Sequence, residues 1–288
     1  MVLDKKIFNF YFFNYNNKLQ FFLAKDSNDQ LLGILGYITN KQFDNKIQTN
    51  SAWLSIWCSK KNAVNGVGIM LLNKLEKSLK LDFVASLGVG NMVLPIYKRL
   101  GYKIGKMDHF IKELKTNKQK EINKNKVYSG IPEKKINFSP KIKNLNYLKK
   151  KYSNNKYYKY YFYTIKKNNK IITVLVGRII SYKKNKIFRI IDLIGSLNGI
   201  EIFGKYNNLY IDKKINFIDI LCKNPFMQKN IKGFFKSNNQ RFLPIYFEPL
   251  IDKYSEKNLI FKRIKNVKKD FLILTGDCDQ ERPNKIKI

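Results

Sequence analysis

The run Ala52-Trp53-Leu54-Ser55-Ile56-Trp57-Cys58 decides the fold of the first half of the chain, because it is apolar and β-prone. A polar break follows, and then the tight pair Gly66-Val67-Gly68. From 69 to 79 apolar side chains recur at helical spacing, which predicts a helix. A strand that feeds a glycine turn at the start of a helix leaves backbone N–H groups aimed at one spot, where the helix dipole favours an anion. The stretch therefore predicts a phosphate site, although such glycines also occur in plain turns.

The neighbouring residues extend this alternation of strands and helices. Two apolar runs around a polar turn predict a hairpin, and Gly33 and Gly36 inside its second strand predict a bulge. The pattern predicts the fold class α/β (α+β), with a mixed twisted sheet flanked by helices. The predicted elements are strands at 19–24, 31–38, 52–58, 81–87 and 102–114, and helices at 69–79 and 92–100.

The stretch resembles the GNAT superfamily of N-acetyltransferases in two motifs. The family's phosphate loop, Gln/Arg-x-x-Gly-x-Gly/Ala, is matched by Ala63-Val64-Asn65-Gly66-Val67-Gly68 in its glycines, whereas its leading residue is replaced by alanine. The family's later signature, Tyr-x-x-Leu-Gly-Phe/Tyr, is matched by Tyr97-Lys98-Arg99-Leu100-Gly101-Tyr102. The resemblance covers residues 19–111. It implies acetyl-CoA, or another acyl-CoA, as the co-substrate.

The resemblance also implies where the co-substrate binds and which residue acts as an acid. The CoA pyrophosphate would lie on the loop amides, and the pantetheine would follow the strand at 52–58. In the family the tyrosine at the position of Tyr97 protonates the leaving thiolate; the alternative is that Tyr97 only packs its helix against the sheet. The residues assigned to acyl-CoA are Ile56, Trp57, Cys58, Val64, Asn65, Gly66, Val67 and Gly68.

The general base that removes a proton from the acceptor ammonium is harder to assign. The strand at 52–58 has no carboxylate. His109 and the adjacent Asp108 are the candidates, and His109 is taken as the catalytic residue, although a lone histidine is more often structural. Ser55 is a weaker candidate that would relay a proton through water.

Trp53, Ser55 and Trp57 are predicted to share one face of their strand, because side chains alternate along a strand. That face either belongs to the core or forms an aromatic wall of the acyl or acceptor pocket. On the second interpretation Trp53 and Ser55 bind the substrate.

The chain of 288 residues has 56 Lys+Arg against 21 Asp+Glu, a net charge of +35. This excess fits an anionic partner such as nucleic acid, an acidic membrane surface or a phosphorylated small molecule. It is mostly lysine and is spread along the whole chain, which also fits a genomic bias. Arginine leads in base readout and is sparse here, so nucleic acid is not the expected partner.

Cysteine and histidine content limits the chemistry. Three cysteines far apart in sequence and a single histidine predict neither a disulfide framework nor a metal site. No signal peptide is recognised, and no apolar run is long enough to span a bilayer. We expect a cytoplasmic protein.

The second half repeats the element order of the first, after a polar, charged stretch at 115–126. We therefore expect two tandem GNAT-like domains: 1–125, which binds acyl-CoA, and 126–288, a degenerate copy on the acceptor side. No glycine loop follows Gly195, so CoA is not expected in the second domain. The predicted elements are helices at 145–152, 200–211 and 227–235, and strands at 157–165, 171–181, 186–194, 217–221, 242–247 and 271–274.

The C-terminal end collects polar groups suited to a sugar, an amine or a phosphate, and a solvated terminus is the plain alternative. This tail and the run Ile245-Tyr246-Phe247-Glu248-Pro249 resemble tandem acetyltransferase-like proteins of bacterial surface-polysaccharide clusters. The candidate substrate-binding residues are Asp277, Asp279, Arg282 and Asn284.

These observations predict an acyl-CoA-dependent N-acyltransferase that acts on an amino sugar. The resemblance implies that the sugar is nucleotide-linked and serves surface-glycan assembly. Two alternatives stay open. One is aminoacyl transfer from charged tRNA, as in peptidoglycan-bridge proteins, and the other is a basic nucleic-acid-binding module without enzymatic activity.

Overall fold

The computed structural model describes residues 5–14, 16–114, 125–133, 136, 142–153, 155, 157–206, 208–226, 230–237, 257–265, 272–279 and 281. The helices are α1 (Lys5–Phe12), α2 (Val67–Ser78), α3 (Leu94–Arg99), α4 (Leu145–Tyr152), α5 (Asn198–Phe203) and α6 (Asn208–Lys213). The strands are β1 (Phe21–Lys25), β2 (Leu31–Thr39), β3 (Ser51–Ser59), β4 (Phe83–Leu87), β5 (Lys103–Lys106), β6 (Asp108–Glu113), β7 (Asn125–Ser129), β8 (Tyr160–Lys167), β9 (Lys170–Tyr182), β10 (Asn185–Gly195), β11 (Phe217–Lys223), β12 (Phe235–Lys236), β13 (Asn258–Arg263) and β14 (Ile273–Leu274).

The chain divides into two compact units, and neither is a single stretch of the sequence. The first unit consists of Met1–Lys106, Lys257–Lys268 and Asp277–Ile288, and the second of Met107–Glu256 and Lys269–Gly276. The sequence predicts one boundary, near residue 125. The compact units instead change at 106/107 and again near the C-terminus.

The first unit is built on a six-stranded sheet in the order β1-β2-β3-β4-β13-β5. Strands β3 and β4 are parallel, and the other neighbours are antiparallel. Because parallel neighbours need a crossover, α2 joins β3 to β4 and packs its apolar stripe on one face of the sheet. The bulge predicted in β2 is confirmed beside Gly33, since the register with β1 shifts between Ala24 and Lys25 and leaves Leu32 as the extra residue. Opposite Gly36 the extra residue belongs to β3, because Leu35 pairs with Trp57 and Tyr37 with Leu54.

Strand β13 fills the place between β4 and β5, and the sequence analysis did not predict it. Leu259, Ile260 and Phe261 are buried there. On the same strand, Lys262 donates a hydrogen bond to Glu76 of α2 at 2.7 Å. Tyr102 donates to the same carboxylate at 2.6 Å, which explains a charged residue at the edge of an apolar stripe.

The second unit is built on an eight-stranded sheet that follows the order β12-β6-β11-β10-β9-β8-β7, with β14 paired to β11. Strands β10 and β11 are parallel, with α5 and α6 between them in sequence, and their antiparallel neighbours repeat the pattern of the first sheet. Strand β6 lies between β11 and β12, as β13 lies between β4 and β5. The predicted fold class is therefore confirmed: two tandem units, each a mixed sheet with helices.

Three predicted elements differ from the structure. The single strand at 102–114 is wrong, because the chain leaves the first sheet at Lys106 and enters the second at Asp108. The helix at 200–211 is two short helices, because the first ends at Gly204. The helix at 227–235 is wrong in its described part, since 230–234 are not helical and Phe235 begins a strand. The strand predicted at 242–247 lies outside the described residues. No helix in the described residues is long and apolar enough to cross a membrane.

Candidate functional site

Strands β3 and β4 separate beyond their first three residues. Their parallel ladder ends at the pair Trp53 and Ala85. The carbonyl of Leu54 accepts a hydrogen bond from the Ser86 hydroxyl at 2.7 Å. From Ser55 to Ser59, the edge of β3 that faces β4 therefore has no ladder partner among the described residues, while its other edge still pairs with β2. Such an edge offers backbone N–H and C=O groups to a ligand.

The bulge rotates the end of β3 relative to its start. Trp57 pairs with Leu35 and packs against the α2 side of the sheet. Trp53 lies on the other face, where its indole N–H donates to Asn40 at 3.0 Å and its ring meets Phe83. The prediction that Trp53, Ser55 and Trp57 share one face is wrong, because strict alternation fails where a bulge adds a residue. Trp53 is fully buried, and Ile56 is half-buried and Cys58 exposed on the unpaired edge.

The glycine turn sets the start of α2. Gly66 has a φ of 91°, a left-handed conformation that glycine adopts without strain, and it caps the helix without a side-chain hydrogen bond. Among the described residues, none accepts a hydrogen bond from the amides of Gly68 and Ile69 in the first turn. The turn is exposed from Val64 to Gly66. The lysines just before it, at 60 and 61, are exposed too, so the turn combines free donors with positive charge.

Gly68 is required for a different reason. A Cβ at this position would lie 2.6 Å from the indole nitrogen of Trp57. The Trp57 ring therefore covers the first turn of α2, and only glycine permits this approach. The loop signature thus has one glycine for conformation and one for contact with β3.

Tyr97 lies at the other side of the Trp57 ring. Its ring centroid is 5.2 Å from that of Trp57 and 5.1 Å from that of Tyr102. Only 3% of Tyr97 is exposed, and burial raises the pKa of its phenol well above the usual value. In the described part of the chain, no group forms a hydrogen bond with the Tyr97 hydroxyl. This hydroxyl is not fully enclosed by the protein. The phenol is protonated, fixed in place and available to a ligand.

Asn258 of β13 holds the segment that leads into the Tyr97 helix. Its side-chain amide donates to the carbonyl of Val89 at 2.8 Å and to the Asn91 side chain at 2.7 Å. Its own carbonyl accepts from the amide of Gly88. Sequence analysis missed this residue, because it lies far from α3 in sequence and no local signal marks it.

The C-terminal residues that were predicted to contact the substrate are buried beside β3. The Ser55 hydroxyl donates a short hydrogen bond to Asp279, of which 2% is exposed. The Cys278 thiol reaches the carbonyl of Leu54 at 3.6 Å, and its sulfur accepts from the amide of Leu87 on β4. Burial, reinforced by the Asp279 carboxylate, raises the pKa of this thiol well above its usual value. The expectation of a solvated terminus is wrong for 277–279, which fill the base of the gap between β3 and β4.

The remaining predicted residues are placed as follows. Asp277 is buried, and Arg282 and Asn284 lie outside the described residues. His109 is in the second unit and not with Tyr97 in the first. Its Nε2–H donates to Asp219 at 2.8 Å, and Arg189 binds the same carboxylate through two nitrogens. No group of three or more His, Cys, Asp or Glu side chains in the described residues is arranged to hold a metal ion.

The second unit has an equivalent gap between its parallel strands, β10 and β11. Strand β14 and Gly276 fill this gap. The parallel ladder of β10 and β11 ends at Ile190 and Ile220, and the register with β9 shifts just beyond it. Strand β14 pairs with β11 at the edge that β10 leaves. At Gly276 a Cβ would lie 2.9 Å from the carbonyl of Ile191 on β10. Among the described residues of the second unit, this packing leaves no open strand edge like that of β3.

No family model matches the chain, and no curated protein matches it. Many solved structures are similar to it, and three of them are described next. A GCN5-related N-acetyltransferase from Anabaena variabilis has a TM-score of 0.53 and 9% identity, covering 86% of this chain and 63% of that one. A probable N-acyltransferase from Enterococcus faecalis has a TM-score of 0.48 and 8% identity, covering 83% of this chain and 61% of that one. A putative acetyltransferase from Pyrococcus horikoshii has a TM-score of 0.39 and 13% identity, covering 82% of this chain and 71% of that one. The chain spans less than two thirds of the length of the first two.

The Anabaena structure shows the fold of this chain: it is that of the GCN5-related N-acetyltransferases. At 9% identity it shows nothing finer.

Proposed function

We propose that the first unit binds acyl-CoA and transfers the acyl group to an amine. One observation carries this proposal. The uncapped first turn of α2, the unpaired edge of β3 and the free hydroxyl of Tyr97 all belong to one unit and surround the Trp57 ring. A phosphate site, an extended hydrogen-bonding edge and a proton donor are the three elements that a CoA thioester requires.

The backbone supplies most of the binding groups in this proposal. The free amides of Gly68 and Ile69 would receive the pyrophosphate, where the helix dipole and the nearby lysines favour negative charge. The open edge of β3 from Ile56 to Cys58 would pair with the amides of the pantetheine. Val64, Asn65 and Val67 complete the turn that presents these donors.

The chemical step in this proposal needs one proton removed and one supplied. The acceptor amine attacks the thioester carbonyl, and the C–S bond breaks. Tyr97 donates its proton to the leaving thiolate. The Ser55 hydroxyl, hydrogen-bonded to Asp279, takes the proton that the amine loses and passes it to the carboxylate. This pair replaces His109, which is committed to a buried ion-pair cluster.

An acyl-enzyme route through Cys278 is disfavoured. Cys278 lies beside this gap, and its raised pKa keeps it as a thiol, which is a poor nucleophile. Its sulfur is also enclosed by β3 and β4.

For the acceptor we propose an amino sugar, nucleotide-linked and used in surface-glycan assembly, with acetyl-CoA as the donor in the cytoplasm. Two observations support this acceptor. The C-terminal tail resembles that of tandem acetyltransferase-like proteins of bacterial surface-polysaccharide clusters, and the net charge of +35 suits a phosphorylated substrate. The alternatives are transfer from charged tRNA and nucleic-acid binding without catalysis. Both predict that the affinity for nucleic acid falls steeply as the salt concentration rises, and that acyl-CoA has no effect on the protein's melting temperature.

The test compares Gly66→Asp with Gly66→Asn. Both side chains tolerate a positive φ, and a Cβ at Gly66 meets no atom within 4 Å, so the two variants differ mainly in charge. Gly68→Asp would be less informative, because it displaces Trp57. Acetyl-CoA should raise the melting temperature of the wild type most. The rise should be slightly smaller for the Asn variant and smallest for the Asp variant. Equal shifts in both variants would refute the phosphate assignment.

A further inference from the structure

A cavity in the second unit is lined largely by aromatic rings. It has a volume of about 640 Å³ and is open to solvent. Its aromatic residues are Tyr152, Tyr157, Tyr158, Tyr160 and Phe162. Lys159 lies at its rim, and its ammonium is 5.5 Å from the centre of the Tyr161 ring, which does not line the cavity. A cavity of this size suits a small organic ligand, for which pockets are typically on the order of 300–1,000 Å³. The predicted site residues do not include any of these side chains.

The rings are held rigidly against each other. Tyr152 and Tyr160 have centroids 4.9 Å apart at 63°, and Tyr158 and Tyr160 are 6.3 Å apart at 89°. The loop before β8 is fixed as well, since Asn155 accepts hydrogen bonds from the amides of Tyr157 and Tyr158. Ordered aromatic rings are stacking platforms that cost a ligand little ordering entropy.

Positive charge surrounds this aromatic wall. The guanidinium of Arg178 lies 4.2 Å from the centre of the Tyr158 ring, and the ammonium of Lys151 lies 5.8 Å from that of Tyr152. The nearby carboxylate, Asp192, is already bound by Lys143 at 2.6 Å and by the Tyr152 hydroxyl at 2.8 Å. Since cations already lie against two of the rings, a cationic ligand is disfavoured. A flat ring that carries negative charge is favoured.

We propose that this cavity binds a nucleotide, with the base stacked on the tyrosines and the phosphates directed to Lys159. The inference is separate from the proposed function, whose groups lie in the first unit. Stacking accepts any base, and the lysine at the rim supplies charge without base-specific readout.

The test measures binding of uridine diphosphate and cytidine diphosphate to the full chain by calorimetry. Pyrimidine diphosphates are the probes, because adenosine diphosphate would also report on a CoA site. Tyr158→Ala should weaken both by at least about fivefold, the lower range for loss of one stacking platform, whereas Tyr158→Phe should retain affinity. Lys159→Gln should weaken the diphosphates more than free uridine.

The matched control is Tyr128→Ala. Like Tyr158, Tyr128 has a cation over its ring, Lys166 at 4.7 Å, but it lies on β7, is exposed and does not line the cavity. It should leave affinity unchanged. Should Tyr158→Ala unfold the protein, Tyr157→Ala, in the loop, provides the second measurement.

Three results would overturn the proposal: no binding of either diphosphate at millimolar concentration, equal losses in Tyr158→Ala and Tyr128→Ala, or binding of N-acetylglucosamine or single-stranded RNA at this cavity without the diphosphates. Failure of the proposed function is distinguishable, because Gly66→Asp should remove the acetyl-CoA shift and leave diphosphate binding intact.

Discussion

At the scale of single residues, the position of the Tyr97 phenol follows from its neighbours. The rings of Trp57 and Tyr102 hold it from two sides, and burial raises its pKa, so that it stays protonated near neutral pH. An acid with a high pKa still donates to a thiolate if the transfer occurs as the C–S bond breaks. Its geometry and protonation state therefore suit a proton donor.

Tyr97→Phe should lower kcat by about 10²–10⁴-fold with little change in acyl-CoA affinity, because the ring contacts are kept and only the proton donor is lost. Single-turnover kinetics and calorimetry with acetyl-CoA measure the two effects. An unchanged single-turnover rate would mean that Tyr97 only packs against Trp57.

Asp279→Asn should lower kcat while the Ser55 hydrogen bond persists, since an amide oxygen still accepts from the serine hydroxyl. The expected loss is about 10²-fold or more, because the amide is not a base. The pH dependence of the rate separates a catalytic from a structural role of Asp279. If the variant has lost its general base, its rate should rise with hydroxide concentration. If the change is only structural, the rate should be lower by the same factor at every pH.

The local conformations were predicted where the signal is local, while the binding and catalytic roles assigned to these residues stay predictions. The glycine turn and the Tyr97 motif are each contained in six residues, and the structure places both in the first unit. The face of Trp57 was not predictable, because the bulge arises from pairing with β2. The contact between Ser55 and Asp279 was not predictable either, since the two residues lie at opposite ends of the sequence.

At the scale of elements, the start of α3 depends on a strand from the far end of the chain. Asn258 on β13 bonds the carbonyl of Val89 and the side chain of Asn91, immediately before the helix that carries Tyr97. Elements were predicted well where periodicity and turn residues coincide, as in the hairpin β1–β2 and in α4. Strand β13 was not predicted, because it is a short apolar run among lysines. Its position in the sheet is determined by pairing with β4 and β5.

Asn258→Ala should lower the free energy of unfolding by about 1–2 kcal/mol, because two hydrogen bonds are lost, and should lower kcat less than Tyr97→Phe does. Asn258→Asp is the sharper variant. A carboxylate at this position would face two acceptors with no donor, so it should be the more destabilising of the two. Urea unfolding gives the order, and an Asp variant as stable as the wild type would contradict the assigned hydrogen bonds.

At the scale of the whole molecule, the two sheets are matched in topology and exchange strands along the sequence. β6 follows the first half but completes the second sheet, and β13 follows the second half but completes the first. The repeat was predictable from element order, whereas the exchange was not, because nothing in either strand marks which sheet it joins. The copies differ at the gap between their parallel strands. In the second unit β14 pairs with β11 there, whereas in the first unit the β4-facing edge of β3 from 55 to 59 has no ladder partner among the described residues.

The buried ion-pair cluster of the second unit links the stability of the protein to pH. Burial alone would raise the pKa of Asp219, but the Arg189 guanidinium and His109 lower it from 3.8 to about 2. A carboxylate whose pKa is lower in the folded state stabilises the fold above its unfolded pKa, and this contribution is lost as pH falls from about 4 to 2. The shift corresponds to about 2 kcal/mol.

The measurement is the difference in unfolding free energy between the wild type and Asp219→Asn at pH 5, 3.5 and 2.5. Both proteins lose stability in acid through their other carboxylates, so only the difference reports on Asp219. It should be largest at pH 5 and should shrink by about 2 kcal/mol towards pH 2. If the asparagine variant does not fold, because Arg189 is then left without its carboxylate, carbon-13 NMR of the Asp219 carboxyl group in the wild type gives the pKa directly. A pKa near 4 would show that the ion pairs do not outweigh the cost of burial.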